Sequence, residues 1–225
     1  MVHTEAEPML QSDGYAILTH CFAATECDRI VASLSGMDAV SSRSLLEFQW
    51  RSELAVELRA RLSVALPKLS KLRAVQCTFF NKHAASNWFV AYHQDRSLPA
   101  SPVVSQTWPN QTCKEGMPFV LGPVTVLEQM VALRLHLDGC SPANGPLRVL
   151  PGSHRFGTLS RERIEEIREQ TVQYELFVER GSVIAMRPQL LHASSKSRTN
   201  RSRRVLHFLF GPVKLPEGLE WNRAV

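Results

Sequence analysis

The residues best suited to chemistry are His93 and Asp95, which stand two positions apart at the end of a strand-like run. Because the side chains of a strand alternate between its two faces, both residues should point to the same side. An imidazole and a carboxylate at one strand end, completed by a second imidazole from a distant part of the chain, form a set that holds Fe(II) and leaves coordination positions open for substrate and oxygen. The spacing by itself also fits an exposed pair or a structural histidine.

Further marks follow one another in a characteristic order, and they include a C-terminal histidine with an arginine eleven residues later. Each mark alone is a weak signal, whereas together they are specific. In chain order they are Asp13-Gly14-Tyr15, Asn87-Trp88, His93-Gln94-Asp95, Asn144-Gly145-Pro146-Leu147, Pro151-Gly152-Ser153-His154, His192 and Arg203. This series resembles the phytanoyl-CoA dioxygenase family of Fe(II)- and 2-oxoglutarate-dependent oxygenases, and the resemblance spans nearly the whole chain.

The resemblance implies a metal site and an anchor for the co-substrate. The metal ligands of the family match His93, Asp95 and His192 in this sequence. The arginine that pairs with the distal carboxylate of 2-oxoglutarate matches Arg203. A guanidinium suits this task because its rigid fork can hold a carboxylate through two parallel hydrogen bonds.

Three more co-substrate positions of the family fall on Thr78, Ser194 and Arg134. At Arg134 the chain departs from the aromatic residue that some relatives carry, which leaves the role of this arginine open between a co-substrate contact and a salt-bridged sheet residue. Alternation along 130–138 places Arg134 on one face with Met130, Ala132, His136 and Asp138, and valine and leucine residues on the other. The polar face is predicted to line the cavity.

Arg203 and Arg204 are adjacent, so a strand must send their side chains to opposite sides. Arg204 shares its face with Leu206, Phe208 and Phe210, a pattern typical of packing against outer helices. Arg203 is therefore the arginine expected to face the metal.

The elements that must position these residues are mostly short strands. Helices are predicted at about 25–34, 52–65 and 161–170, the last with Ser160 as its N-cap. Strands are predicted at about 15–18, 72–80, 88–93, 130–138, 147–150, 171–178, 182–186 and 203–210. A mostly β chain with flanking helices agrees with the double-stranded β-helix, a jelly-roll of cupin type, that the family resemblance implies.

Residues 96–118 form a different kind of segment, rich in Pro, Ser, Gln and Asn and without a steady period. We expect a loop here. At ~20 residues it is longer than most connections in compact domains, and such loops commonly serve as active-site covers or are simply mobile. Because it follows directly after Asp95, we predict a lid over the active site.

The bulk composition fits one catalytic domain over residues 1–225, since 225 residues with 44% apolar content can bury a core without disulfides. The five cysteines form no Cys-x-x-Cys motif, no apolar run reaches the ~18 residues of a membrane span, and no basic leader opens the chain. We therefore expect a cytoplasmic protein with no membrane partner, as a monomer or weak homodimer.

The net charge of +5 is concentrated in one stretch that holds Lys196, Arg198, Arg201, Arg203 and Arg204. Nucleic-acid binders usually add interleaved aromatic residues or a recognisable motif, and this chain has neither. The charge pattern therefore does not favour a nucleic-acid partner.

The expected activity is that of a non-haem dioxygenase that uses Fe(II), 2-oxoglutarate and O2, and that hydroxylates or desaturates a small organic substrate with release of succinate and CO2. Halogenating relatives lack the carboxylate ligand, so Asp95 favours the first two reactions. A metal-binding, cupin-like barrel without oxygenase activity and an oxygenase directed at nucleic acid stay open as alternatives. The sequence does not identify the substrate.

Overall fold

A computed structural model describes residues 5–35, 41–42, 45–102, 111–216 and 218–225. The helices are α1 (Ala6–Ser12), α2 (Ala24–Ser33), α3 (Gln49–Leu62), α4 (Val124–Leu127) and α5 (Arg161–Gln170). The strands are β1 (Tyr15–Leu18), β2 (Ser41–Ser42), β3 (Leu72–Lys82), β4 (Val90–His93), β5 (Ser97–Leu98), β6 (Ala100–Pro102), β7 (Thr112–Lys114), β8 (Met117–Leu121), β9 (Val131–His136), β10 (Leu147–Val149), β11 (Tyr174–Leu176), β12 (Val183–Met186), β13 (His192–Ser194), β14 (Arg203–Pro212) and β15 (Leu219–Trp221).

Two antiparallel sheets build the scaffold. The larger has the strand order β1-β12-β9-β14-β3-β2, and the smaller has the order β11-β10-β13-β4. Neighbouring strands come from distant parts of the chain, as they do in a double-stranded β-helix, and this confirms the predicted fold. Two small sheets, β15-β6 and β5-β8-β7, complete the β structure of the described residues.

The two faces of the larger sheet have different partners. On one face, Leu206 and Phe208 of β14 belong to an apolar core that also contains Leu58 and Leu62 of α3. On the other face, residues of β3, β9 and β14 line a cavity. The sheet therefore separates a helix-covered core from the interior of the β-helix.

The three predicted helices are confirmed with small shifts of their ends. Helix α5 begins after Ser160, whose hydroxyl accepts a hydrogen bond from the backbone N–H of Arg163 at 3.2 Å, as an N-cap should. Helix α3 starts three residues before the predicted position 52. Helices α1 and α4 were not predicted, since each is at most two turns long and offers little periodicity. The longest described helix has 14 residues, too few to cross a bilayer.

The prediction that 96–118 is a loop without regular structure is wrong for its described part. Strands β5, β6 and β7 lie within it, and β8 begins at its end. Strand β8 pairs with β5 on one side and β7 on the other, and β6 pairs with β15. Strands of two or three residues are too short for alternation to be visible in a sequence. Residues 103–110 of this segment lie outside the described residues.

Candidate functional site

The three predicted metal ligands converge because of the pairing of β4 with β13. His93 ends β4, His192 begins β13, and the register places the two residues directly opposite each other. Their ring centroids are 4.2 Å apart. Asp95 follows two residues after His93, and its backbone N–H donates a hydrogen bond to the carbonyl of Pro188 at 2.8 Å, which holds the chain beside β13.

The distances among these side chains suit a single ion. His93 Nε2 lies 3.6 Å from one oxygen of Asp95, and His192 Nε2 lies 3.6 Å from the other. One ligand atom from each of the three residues can be chosen so that all lie within 4.8 Å of one another. Bonds of about 2.0–2.2 Å from a common centre would require only a small inward movement of these atoms.

Backbone carbonyls fix which nitrogen of each imidazole faces the carboxylate. His93 Nδ1 lies 2.9 Å from the carbonyl of Ala91, and His192 Nδ1 lies 2.9 Å from the carbonyl of Leu190. A carbonyl only accepts hydrogen bonds, so each Nδ1 carries a proton, and in the neutral imidazole each Nε2 then keeps a free lone pair. This is the tautomer that a metal ligand needs, with its second nitrogen held by the surrounding backbone.

The charge states of the site also fit a metal ion. Burial alone would raise the pKa of Asp95, but His192, His93 and His207 around the carboxylate hold that pKa well below its usual range. Burial, with the neighbouring His93, lowers the pKa of His192 to about 4. At neutral pH the carboxylate is therefore ionised and His192 is neutral, the forms in which both bind metals.

A cavity of about 420 Å³ opens beside the three ligands. Its base is formed by strands β3, β9 and β14, and the ligand pair of β4 and β13 forms one wall. Aromatic and aliphatic side chains cover part of its surface, namely those of Phe80, Trp88, Val90, Phe119, Leu147 and Leu209. The mixture of apolar walls with a few converging polar groups is typical of a small-molecule site.

Two buried arginines at the base of the cavity carry unused hydrogen-bond donors. Arg203 is 3% exposed, and its Nε and Nη1 have no hydrogen-bond partner among the described residues. Arg134 is 7% exposed; its Nη1 lies 3.1 Å from Nδ1 of His207, and its Nε has no partner in the same part of the chain. Buried guanidinium groups without an acceptor are costly, so the cavity is suited to an anion.

Thr78 and Ser194, the other predicted co-substrate positions, also line the cavity. The Thr78 hydroxyl accepts a hydrogen bond from Gln76 at 2.8 Å, and the Ser194 hydroxyl accepts one from Lys82 at 3.3 Å. All four sequence-predicted co-substrate residues are thus brought together around one space, with the metal ligands beside them.

Gln76 and Lys82 were not found by sequence reasoning. Their signal was nevertheless present, because alternation along β3 places both on the face of Thr78. Lys82 is fully buried and donates a hydrogen bond to the carbonyl of Ser195 at 2.7 Å. Burial lowers its pKa to about 7, and the nearby Arg203 and Arg134 add to this effect.

The prediction that the whole polar face of 130–138 lines the cavity is wrong. Among the described residues, Arg134 is the only one of that face that does so. Met130 and Ala132 pack into a second apolar core, and His136 is fully buried away from the cavity. Asp138 binds Arg204 instead. The face continues into core at both ends, and alternation alone cannot reveal where a cavity stops.

The basic stretch near the C-terminus does not form one surface. Arg203 faces the cavity, whereas Arg204 is held by Asp138 on the opposite side of β14. Two of its five cations thus lie on opposite sides of β14.

A model of the phytanoyl-CoA dioxygenase (PhyH) family matches residues 10–205, most of the chain. No curated protein matched the sequence.

Several solved structures have a similar fold. HygX from Streptomyces hygroscopicus, in a structure with iron bound, is 18% identical, with a TM-score of 0.65 over 95% of this chain and 88% of HygX. EctD from S. alaskensis is 19% identical, with a TM-score of 0.67 over 97% of this chain and 84% of EctD. The non-haem α-ketoglutarate-dependent epimerase SnoN from nogalamycin biosynthesis is 13% identical, with a TM-score of 0.70 over 98% of this chain and 85% of SnoN. At these identities the likeness concerns the fold.

Proposed function

Since this chain belongs to the phytanoyl-CoA dioxygenase family, and is thereby an Fe(II)- and 2-oxoglutarate-dependent oxygenase, we propose that it hydroxylates or desaturates a small organic substrate and releases succinate and CO2. The observation that carries the proposal is the convergence of His93, Asp95 and His192 on the wall of a cavity whose base holds two arginines with unused donors. Residues 1–225 would act as one catalytic domain.

The three converging side chains would hold Fe(II). Two neutral imidazoles and one carboxylate leave positions free on this ion, as the chemistry requires. When bound, the iron and 2-oxoglutarate would activate O2, the oxidant that takes two electrons from 2-oxoglutarate and two from the substrate. The task of the protein is to hold these partners in place and to keep water away.

The base of the cavity fits the dianion 2-oxoglutarate. Arg203 would bind the distal carboxylate with its guanidinium group, in which Nε and Nη1 have unused donors. Arg134 has a second free donor close by and would contribute to the same anion, while the hydroxyl groups of Thr78 and Ser194 would complete its hydrogen bonds. The four positions were predicted as a set, and the geometry supports that set.

The test is whether the three ligands are needed for turnover. We expect the purified protein to bind one Fe(II) per chain and to form succinate from 2-oxoglutarate, and we expect His93→Ala to abolish activity. His83→Ala is the matched control, since His83 does not line the cavity. Full turnover by His93→Ala with wild-type iron affinity would refute the ligand assignment. Intact metal binding without consumption of 2-oxoglutarate would support the non-oxygenase barrel instead.

We also propose that residues 96–118 form a lid. Arg96 and Ser97 at one end, and Lys114 near the other, line the cavity, as does Phe119 just beyond the segment. Covers of this kind exclude water and become ordered when ligands bind. Limited proteolysis should therefore cut this segment more slowly once 2-oxoglutarate and an inert metal ion such as Ni(II) are present. Cleavage at an unchanged rate, with both ligands shown to be bound, would argue against a lid.

A further inference from the structure

The mouth of the cavity carries a guanidinium that the proposed co-substrate does not need. Arg96 directly follows Asp95, and its side chain lines the cavity. Its carbonyl accepts a hydrogen bond from the backbone N–H of Gly122 at 2.8 Å, so the main chain at this point is fixed. Within the described part of the chain, the guanidinium makes neither a hydrogen bond nor an ion pair.

A second cation reaches the same cavity from the far end of the proposed lid. Lys114 ends β7, which pairs with β8. Its ammonium group lies over the ring of Phe119, 4.8 Å from the centroid, and this contact directs it along the cavity wall. Residues from both ends of the lid thus bring positive charge to one opening.

The charges of the lining do not balance, even with the proposed metal and co-substrate in place. Arginine and lysine contribute four positive charges to the described lining, and Asp95 contributes one negative charge. The histidines count as neutral. A metal binds the neutral imidazoles of His93 and His192, and His207 Nδ1 can accept the hydrogen bond from Arg134 only when that nitrogen carries no proton. Fe(II) and the 2-oxoglutarate dianion cancel each other. Four minus one leaves three positive charges, and a recessed site of this kind concentrates anions.

Two of the four cations, Arg134 and Arg203, lie at the base and are taken by 2-oxoglutarate in the proposed function. Arg96 is then left for the substrate, and Lys114 lines the same cavity. The lining also contains apolar side chains, Trp88 and Val90 among them. The site therefore offers positive charge, apolar surface and a reactive centre.

We propose that the substrate is an amphipathic organic anion, whose carboxylate or phosphate group binds Arg96 with help from Lys114 and whose apolar body packs along the wall beside the metal. Arg96 and the metal ligand Asp95 are neighbours in the chain and line the same cavity, so an anion on Arg96 would share that cavity with the metal. This inference rests on the proposed function, because it assigns the two deeper arginines to 2-oxoglutarate.

The experiment measures binding by calorimetry to the full chain loaded with Ni(II) and saturated with 2-oxoglutarate. The probes are 3-phenylpropionate, phenethyl phosphate and 3-phenylpropanol, with hexanoate, hexyl phosphate and hexanol as a second series. We expect the acidic probes of at least one series to bind roughly tenfold to a hundredfold more tightly than the alcohol, the range of a charge-assisted hydrogen bond. Comparison of carboxylate with phosphate identifies the preferred group.

Variants show whether the preference comes from the mouth. Arg96→Gln should reduce binding of the acidic probes to the level of the alcohol and leave the alcohol unaffected, and Lys114→Gln should do so in part. Lys68→Gln is the control, since Lys68 is exposed and lies outside the cavity lining. Each variant is first checked for a wild-type melting temperature and for unchanged binding of 2-oxoglutarate.

Three results separate this inference from the proposed function. Equal binding of acids and alcohols, or acid binding that survives Arg96→Gln, would overturn the anion site. Acids that compete with 2-oxoglutarate, rather than binding in addition to it, would place the anion on the deeper arginines and also overturn it. Failure of the Ni(II) protein to bind 2-oxoglutarate, with the dependence on Arg96 intact, would instead count against the co-substrate assignment alone.

Discussion

The two faces of β14 present the same chemical group in opposite situations. Arg204 donates three hydrogen bonds to Asp138, from its backbone N–H, its Nε and its Nη2, at 2.7 to 2.8 Å. Arg203, its neighbour in the chain, is buried on the cavity face with two donor nitrogens that have no partner among the described residues. Hydrogen bonding to Asp138 raises the pKa of Arg204, whereas burial lowers that of Arg203.

The difference between Arg204 and Arg203 shows how an arginine that stabilises the fold can be distinguished from one that binds a ligand. On the helix-facing side the fold supplies its own carboxylate, so the arginine contributes to stability and is complete without a ligand. On the cavity side the described residues supply no acceptor for Nε and Nη1, so the hydrogen bonding of Arg203 is complete only when an anion binds. An arginine whose hydrogen bonds are made within the fold has a structural role. A buried arginine with unpaired donors is suited to bind a ligand.

The largest expected effect separates the two arginines by co-substrate affinity. Removing the partner of a buried carboxylate typically costs ~2–5 kcal/mol. Arg203→Ala should therefore raise the apparent requirement for 2-oxoglutarate by about 1.5 to 3.5 powers of ten, at ~1.4 kcal/mol per tenfold. Arg204→Ala should leave it within a few-fold of wild type. Titration of both folded variants gives the ranking, and the reverse order would overturn the assignment of the two faces.

A smaller effect is expected on the stability of the helix-facing side. Asp138→Asn removes the charge that holds Arg204, and hydrogen bonds to charged groups contribute about 1.5–3 kcal/mol. We expect the free energy of unfolding in urea to fall by this amount while binding of 2-oxoglutarate is kept. Asp28→Asn is the control: Asp28 pairs with Arg180 but its side chain is 67% exposed, so its loss should cost less than about 1 kcal/mol. Equal losses in both variants would contradict the contrast.

A pH-dependent effect is expected for Lys82, a buried cation on the cavity face of β3 that does have partners. Its pKa is about 7 in the fold, below its ordinary value of 10.5. Between these pH values the unfolded chain binds more protons than the folded one, so the stability contribution improves as pH rises and is flat below about 7. The unfolding free energy of wild type relative to Lys82→Met should rise from pH 7 to pH 10, by less than about 1.4 kcal/mol per pH unit. The measurement uses metal-free protein, because metal binding is itself pH-dependent and would add to the effect. A difference in unfolding free energy between wild type and Lys82→Met that does not change with pH would argue against the lowered pKa.

Sequence reasoning predicted most of what depends on alternation and on a motif. The opposite directions of Arg203 and Arg204 followed from strand geometry, and the structure confirms them. The meeting of His93 and His192 could not follow from local pattern, because it depends on pairing between β4 and β13. It was predicted from the family resemblance instead.

Other features were missed for physical reasons. Lys82 is a residue type that is rarely buried, and its burial depends on Ser194, the carbonyl of Ser195 and the ring of Trp88, all distant in sequence. The short strands inside 96–118 pair with one another and carry no periodic signal of their own. Both are tertiary effects that override local preference.

The register that sets His192 opposite His93 also has a consequence for folding. The two histidines belong to chain segments almost one hundred residues apart, and β4 and β13 contain only four and three residues. An ion bound by both strands would act as a cross-link across this long loop, removing conformational freedom that the unfolded chain would otherwise regain. Part of the free energy of metal binding would then appear as stability of the whole β-helix, so the ion would stabilise the fold as well as take part in the reaction.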